Sequence, residues 1–136
     1  FIQRARDVFP DYTAVVYGHR RYSWREAYDR SVRLASALDK LGIGVGDTVT
    51  VIAANTPELF EAHYGIPMCG AVLNAMNTRL DADTIAYILD HSDAKVLITD
   101  TQFSPTVKAA LEMYGRDDLH IIDIVDDQAQ LKDGEG

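Results

Sequence analysis

The chain has 136 residues, of which 47% are hydrophobic and 25% charged, with a formal net charge of −8. This size and balance suit one folded domain and exclude an intrinsically disordered chain. The acidic excess disfavours nonspecific binding to nucleic acid or anionic membrane, and the only adjacent arginine pair is Arg20-Arg21.

Cys69 is the single cysteine, so no internal disulfide and no multi-cysteine zinc site can form; a reducing cytoplasm is the expected location. No apolar run approaches the ~20 residues a membrane helix needs, and FIQRARDVF lacks the apolar core of a signal peptide. The chain opens on Phe1 without an initiator Met and closes on KDGEG. The expectation is that it forms part of a larger protein.

In chain order, Ile2, Ala5, Val8 and Phe9 fall at helical spacing, and Pro10 stops that helix. Thr13–Tyr17 and Arg20–Ser23 flank Gly18-His19 and predict a β-hairpin, with Gly18 at positive φ. SWRE follows. Ser23 caps the next helix while Glu26 reaches back to the capping amide. Trp24, Ala27, Tyr28, Ser31, Leu34, Ala35, Leu38 and Leu41 form the apolar face of that helix, and Gly42 ends it.

Thr48 to Ala54 (TVTVIAA) has the unbroken β-branched character of a buried parallel strand. Thr56-Pro57-Glu58 predicts a helix start, with Thr56 as cap, running to about Tyr64 before Gly65 and Pro67 weaken it. Gly70 to Leu73 reads as a buried strand. Asp81 caps a helix to His91 with Ile85, Ile88 and Leu89 inward. Val96–Thr99 reads as a strand. Ser104-Pro105 opens a helix using Val107, Ala110, Leu111 and Tyr114, and His120–Val125 is the last strand. The fold class is therefore α/β: a parallel, doubly wound sheet of βαβ units from residue 48, preceded by a helix, a hairpin and a long amphipathic helix. Residues 1–125 form the expected domain, and 126–136 a polar tail or loop.

Taken alone, these residues assemble no catalytic centre. Gly42, Gly44 and Gly46 in GIGVGD follow a helix and precede a strand, the reverse of a dinucleotide-binding turn, so helix stop plus turn is the reading. There is no Walker loop (GxxxxGK then S or T) and no G-x-S-x-G elbow. His19, His63, His91 and His120 lack metal-type spacing; His63 with Cys69 is the nearest approach, and a satisfied interior or interface histidine is the reading. Asp100, at the end of a strand, reads as a turn or cap residue. In GAVLNAMNTRLD (70–81), Asp81 is accounted for as a cap. Asn77, Thr78 and Arg79 are the candidates for contact with a cofactor, although loop hydrogen bonding and docking to further protein is the favoured role. No catalytic residue and no metal ligand is assigned.

The order of phrases RRYSWRE, GIGVGD, NTPE and GAVLNAMNTRLDADTIAYIL resembles the beginning of the AMP-forming acyl-CoA synthetases of the adenylate-forming superfamily, across residues 1 to about 125. The resemblance implies an acid–thiol ligase. ATP and a carboxylic acid, a fatty acid by expectation, would give an acyl-adenylate and pyrophosphate with Mg2+; the CoA thiol would then give thioester and AMP. The family's phosphate loop ending in Pro-Lys-Gly, its magnesium-binding acidic segment, its ribose-binding aspartate and its mobile lysine are not in this sequence. The 136 residues are therefore expected to supply scaffold, to be inactive alone, and to bind ATP, Mg2+ and CoA only as part of the whole protein. The rest of the synthetase chain is the expected partner, with self-association through uncovered edges a further expectation. The alternatives are a stand-alone α/β binding domain and a relative that adenylates without CoA.

Overall fold

The computed structural model describes residues 1–126. Helix α1 (Ile2–Val8) leads into β1 (Thr13–Tyr17) and β2 (Arg20–Ser23), an antiparallel hairpin whose turn holds Gly18 at φ 56°. Helix α2 (Trp24–Lys40) begins at the expected box. Ser23 Oγ accepts from the Glu26 amide at 3.2 Å, and the Glu26 carboxylate accepts from the Ser23 amide at 3.1 Å. Two of the orphan amides of the helix start are thereby satisfied. Gly42 follows α2 at φ 80°, a conformation that an L side chain resists.

Strands β3 (Thr48–Ile52), β4 (Val72–Ala75), β5 (Ala94–Asp100) and β6 (His120–Ile124) form one parallel sheet in the order β4-β3-β5-β6. Helix α3 (Pro57–Met68) joins β3 to β4, α4 (Ala82–His91) joins β4 to β5, and α5 (Ser104–Tyr114) joins β5 to β6. Strand alternation sends Val49, Val51, Val96 and Ile98 to one face, where they meet Leu38 of α2 and Ala62 and Ile66 of α3. Ile52 and Leu97 point to the other face and pack on Ile85 and Leu89 of α4 and Val107 and Ala110 of α5. Each such fully buried aliphatic side chain contributes about 1.5–3 kcal/mol. The doubly wound α/β class holds.

Five local expectations change. Helix α3 continues past Tyr64 to Met68, because Gly65 serves as a contact: a Cβ there would lie 2.8 Å from the Ser31 carbonyl of α2. Pro67, in the last turn, ends the helix without shortening it to Tyr64. Thr56 stands at the N-cap of α3 but its side chain makes no capping bond. The strand read at Gly70–Leu73 is Val72–Ala75, an edge strand with Val72 exposed, while Gly70 is a turn at φ 86° against Val45. Leu41 lies beyond α2 and is exposed, and β3 stops at Ile52. Of the predicted tail 126–136, residues 127–136 lie outside the described residues.

Candidate functional site at the carboxyl edge of the sheet

All four strands are parallel, so their carboxyl ends share one edge of the sheet. From β3 the chain crosses to the face of α2 and α3, whereas from β4 and β5 it crosses to the opposite face. Connections that diverge in this way open a crevice beside β3, the usual ligand position in such sheets.

The predicted candidates lie in the connection after β4. Asn77 Oδ1 accepts from the Arg79 amide at 2.9 Å, an Asx turn that satisfies the loop internally. Asn77 and Arg79 are exposed and Thr78 is half-buried. Asp81 Oδ1 accepts from the Thr84 amide at 2.9 Å and caps α4 as expected; that bond, on the side chain and amide of Thr84, holds its carboxyl below the ordinary value. Asn74, within β4, donates to buried Thr50 Oγ1 at 3.3 Å and ties β4 to β3.

A second group, which the sequence did not single out, lies over the ends of β3, β5 and β6. The hairpin is held there by its own polar side chains. Tyr17 OH donates to Asp126 Oδ2 at 2.6 Å, and Arg20 Nη2 donates to Glu58 Oε1 at 2.8 Å and to Tyr22 OH at 2.9 Å. The Arg30 guanidinium of α2 lies 4.7 Å over the Tyr22 ring and pairs with the Glu61 carboxylate, Nη2 reaching Oε2 at 3.3 Å. Charge-assisted bonds of this kind are about twice as strong as neutral ones. The hydrogen bond to Asp126, then burial, raises the Tyr17 phenol to about 12. Burial raises the Glu61 carboxyl, opposed by Arg30.

Asp100 does act as the predicted cap, its Oδ1 accepting from the Gln102 amide at 3.1 Å. It is also only 1% exposed, and its Oδ2 has no partner, as is true of Thr56 Oγ1 and Glu58 Oε2. Burial first, then the charges of Asp126 and Glu58, raises its carboxyl. Beside this group lies a cavity of about 490 Å3 walled by Tyr17, Asn55, Thr56, Phe60, His63 and Tyr64. Its lining is apolar and aromatic, with Asn55, Thr56 and His63 as further polar groups and no lysine or arginine, and both nearby arginines are committed to Glu58 and Glu61. Such a wall suits an apolar group with a hydrogen-bond donor and disfavours a polyphosphate.

No nucleophile and base are paired here. His63 Nδ1 sits 2.8 Å from the Leu59 carbonyl of its own helix, and Cys69 Sγ donates to the Ile66 carbonyl at 3.1 Å. Among the described residues, no three His, Cys, Asp or Glu side chains converge as metal ligands.

Comparison with known proteins gives this scaffold its context. An acetate/butyrate–CoA ligase of Arabidopsis thaliana is 48% identical over 113 residues, covering 83% of this chain and 20% of that protein. A benzoate–CoA ligase of the same plant is 43% identical over 121 residues, covering 89% and 21%. The crystal structure of the anthranilate CoA ligase AuaEII with anthranoyl-AMP superposes at a TM-score of 0.84 with 26% identity, over 90% of this chain and 24% of that one. The chain thus spans about a fifth of the length of the curated relatives it matches. The family model described as AMP-binding enzyme matches residues 2–135, nearly the whole chain, and on that match the chain belongs to the AMP-binding enzyme family.

Proposed function

We propose that the whole protein is an AMP-forming acid–thiol ligase. A carboxylate oxygen of the acid attacks the α-phosphorus of ATP, pyrophosphate leaves, and an acyl-adenylate forms. The CoA sulfur then attacks the acyl carbon, its proton is lost, and AMP leaves with the electrons of the acyl–oxygen bond. The observation that carries this reading is the 48% identity to an acetate/butyrate–CoA ligase along most of the chain. Short fatty acids are the proposed substrates, supported by that relative's butyrate, and benzoate is the competing acid from the other.

Residues 1–125 would act as a scaffold subdomain. Like charges on carboxylate and triphosphate must be screened before they can meet, by cations placed around the developing charge. Around the cavity the described residues offer Arg20 and Arg30 already paired with Glu58 and Glu61 instead, so adenylation is assigned to the rest of the protein and no step is routed through Mg2+ here. Asn77, Thr78 and Arg79 would fasten their loop against that remainder, with direct contact to CoA or the acid as the outcome their substitution would otherwise reveal. Cytoplasmic residence belongs to the same reading and rests on the cysteine count; both plant relatives are named peroxisomal, so fluorescent tagging of the whole protein decides between the two.

The test is acid-dependent exchange of labelled pyrophosphate into ATP. The whole protein is expected to exchange with butyrate or a longer fatty acid. The 136 residues alone are expected to show none. Absence of exchange with short, medium, long and aromatic acids alike would overturn the reading.

A further inference from the structure

Among the described residues the hairpin β1–β2 pairs with no other strand, and a two-stranded ribbon is at best marginally stable without further support. Strand β1 borders the cavity of about 490 Å3 beside the β3–α3 connection, and its Val16 is 55% exposed. Two side-chain hydrogen bonds tether the hairpin to the sheet edge, Tyr17 to Asp126 at 2.6 Å and Arg20 to Glu58 at 2.8 Å. Both anchors are carboxylates.

Asp100 is a third carboxyl at the same edge, and it is 1% exposed. Its Oδ1 accepts from the Gln102 amide and caps the short 3-10 turn Thr101–Phe103, while its Oδ2 is sealed from solvent without a partner. The groups that act on it come from every side. Asp126 after β6 and Glu58 of α3 are acidic, Tyr17 of β1 is bound to Asp126, and Arg20 of β2 and Arg30 of α2 are spent on Glu58. An ionised Asp100 is therefore an unpaired buried charge beside two like charges. A folded protein avoids that state by keeping the proton or by admitting water. Water reaches a sealed oxygen only if its cover lifts, and the hairpin is the part of that cover with the least support of its own.

We propose that the hairpin is a pH-sensitive strap over the carboxyl edge of the sheet: it stays closed while Asp100 holds a proton and lifts more readily when Asp100 ionises. The inference does not depend on the ligase reading. Its sign follows from which form keeps the proton. Burial first, then Asp126 and Glu58, raises the Asp100 carboxyl in the closed form, whereas water in the lifted form returns it to the ordinary value of about 4. The contribution of Asp100 to closure is whole below about pH 4 and is lost as pH rises through the closed-form value. The closed form remains the major one, and pH sets how often the crevice beside β3 is uncovered.

Amide hydrogen exchange of the whole protein tests this, read on peptides spanning Thr13–Ser23 and corrected for the intrinsic rate at each pH, in wild type and Asp100→Asn. Asparagine keeps the acceptor for the Gln102 amide and places a donor where the orphaned oxygen was. Wild-type hairpin protection is expected to fall as pH rises from 4, by up to about tenfold per pH unit for one linked proton, while protection of β5 holds. In Asp100→Asn the hairpin is expected to stay protected at every pH. A flat wild-type profile would overturn the proposal, as when a basic side chain elsewhere in the whole protein pairs with Asp100. A slope that survives in Asp100→Asn would overturn it too, because His19 in the turn or Glu61 beside Arg30 would then be the titrating group. Infrared spectroscopy of the wild type decides the matter without a variant. A protonated-carboxyl band that outlasts those of exposed Asp and Glu must vanish over the interval in which hairpin protection falls; absence of that band, or its loss without a change in hairpin exchange, would refute the strap.

Discussion

Replacing Gly65 by alanine sets two effects of opposite sign against each other. Gly65 lies inside α3, where alanine favours the helix by about 1 kcal/mol. Its Cβ, however, would sit 2.8 Å from both the Ser31 carbonyl oxygen and Leu34 Cδ2, and 2.9 Å from Leu34 Cβ. The carbonyl belongs to the backbone of α2, so a rotamer change cannot relieve that contact; the two helices must separate. Overpacking of this kind costs about 1–3 kcal/mol, and with backbone on one side the upper end applies. The net expectation is a loss of about 2 kcal/mol, or roughly 8 °C in melting midpoint for a chain of this size. Urea titration followed by circular dichroism, with unchanged slope, reads it. A midpoint that rises would show that helix propensity wins and that the α2–α3 approach is looser than described.

Ser23→Ala removes one half of the capping box and is expected to lower stability by about 1 kcal/mol in the same titration. Tyr17→Phe removes the hydrogen bond to Asp126 and should lower stability by about 1 kcal/mol at neutral pH. The folded phenol, at about 12, lies above its value near 10 in an unfolded chain, so the folded state retains the proton longer. The contribution of Tyr17 is therefore whole below about pH 10 and is lost as pH rises from 10 to 12; an alkaline limb of the stability profile identical in Tyr17→Phe would refute this. Arg79→Ala in the whole protein should reduce stability while leaving the Michaelis constants for acid and CoA unchanged, and a raised constant would assign Arg79 to ligand contact.

What the sequence revealed was mostly local. The reciprocal bonds of Ser23 and Glu26 span three residues, the hairpin turns on Gly18, and Asp81 caps its own helix; each leaves its mark in a short window. The parallel class followed from alternating elements. Strand order did not follow, and it decides burial: Gly70–Leu73 looks as apolar as an interior strand, yet β4 is an edge and Val72 faces solvent. Gly65 reads as a helix breaker until α2 is placed against it. The same limit applied to the site. Tyr17 and Asp126 lie 109 positions apart, and nothing in either neighbourhood marks the other. Asp100 was visible as a strand-end carboxylate, but its burial and unpaired oxygen arise from the hairpin lying over the sheet edge and from Asp126 arriving after β6.

The central claim, that these residues are part of an AMP-forming acid–thiol ligase, is tested most directly by the products of the whole protein supplied with ATP, CoA and butyrate. The account predicts butyryl-CoA, AMP and pyrophosphate in equal amounts, with an acyl-adenylate accumulating when CoA is withheld. Formation of ADP and phosphate, or an adenylate that CoA fails to convert to thioester across acetate, butyrate, longer fatty acids and benzoate, would contradict it.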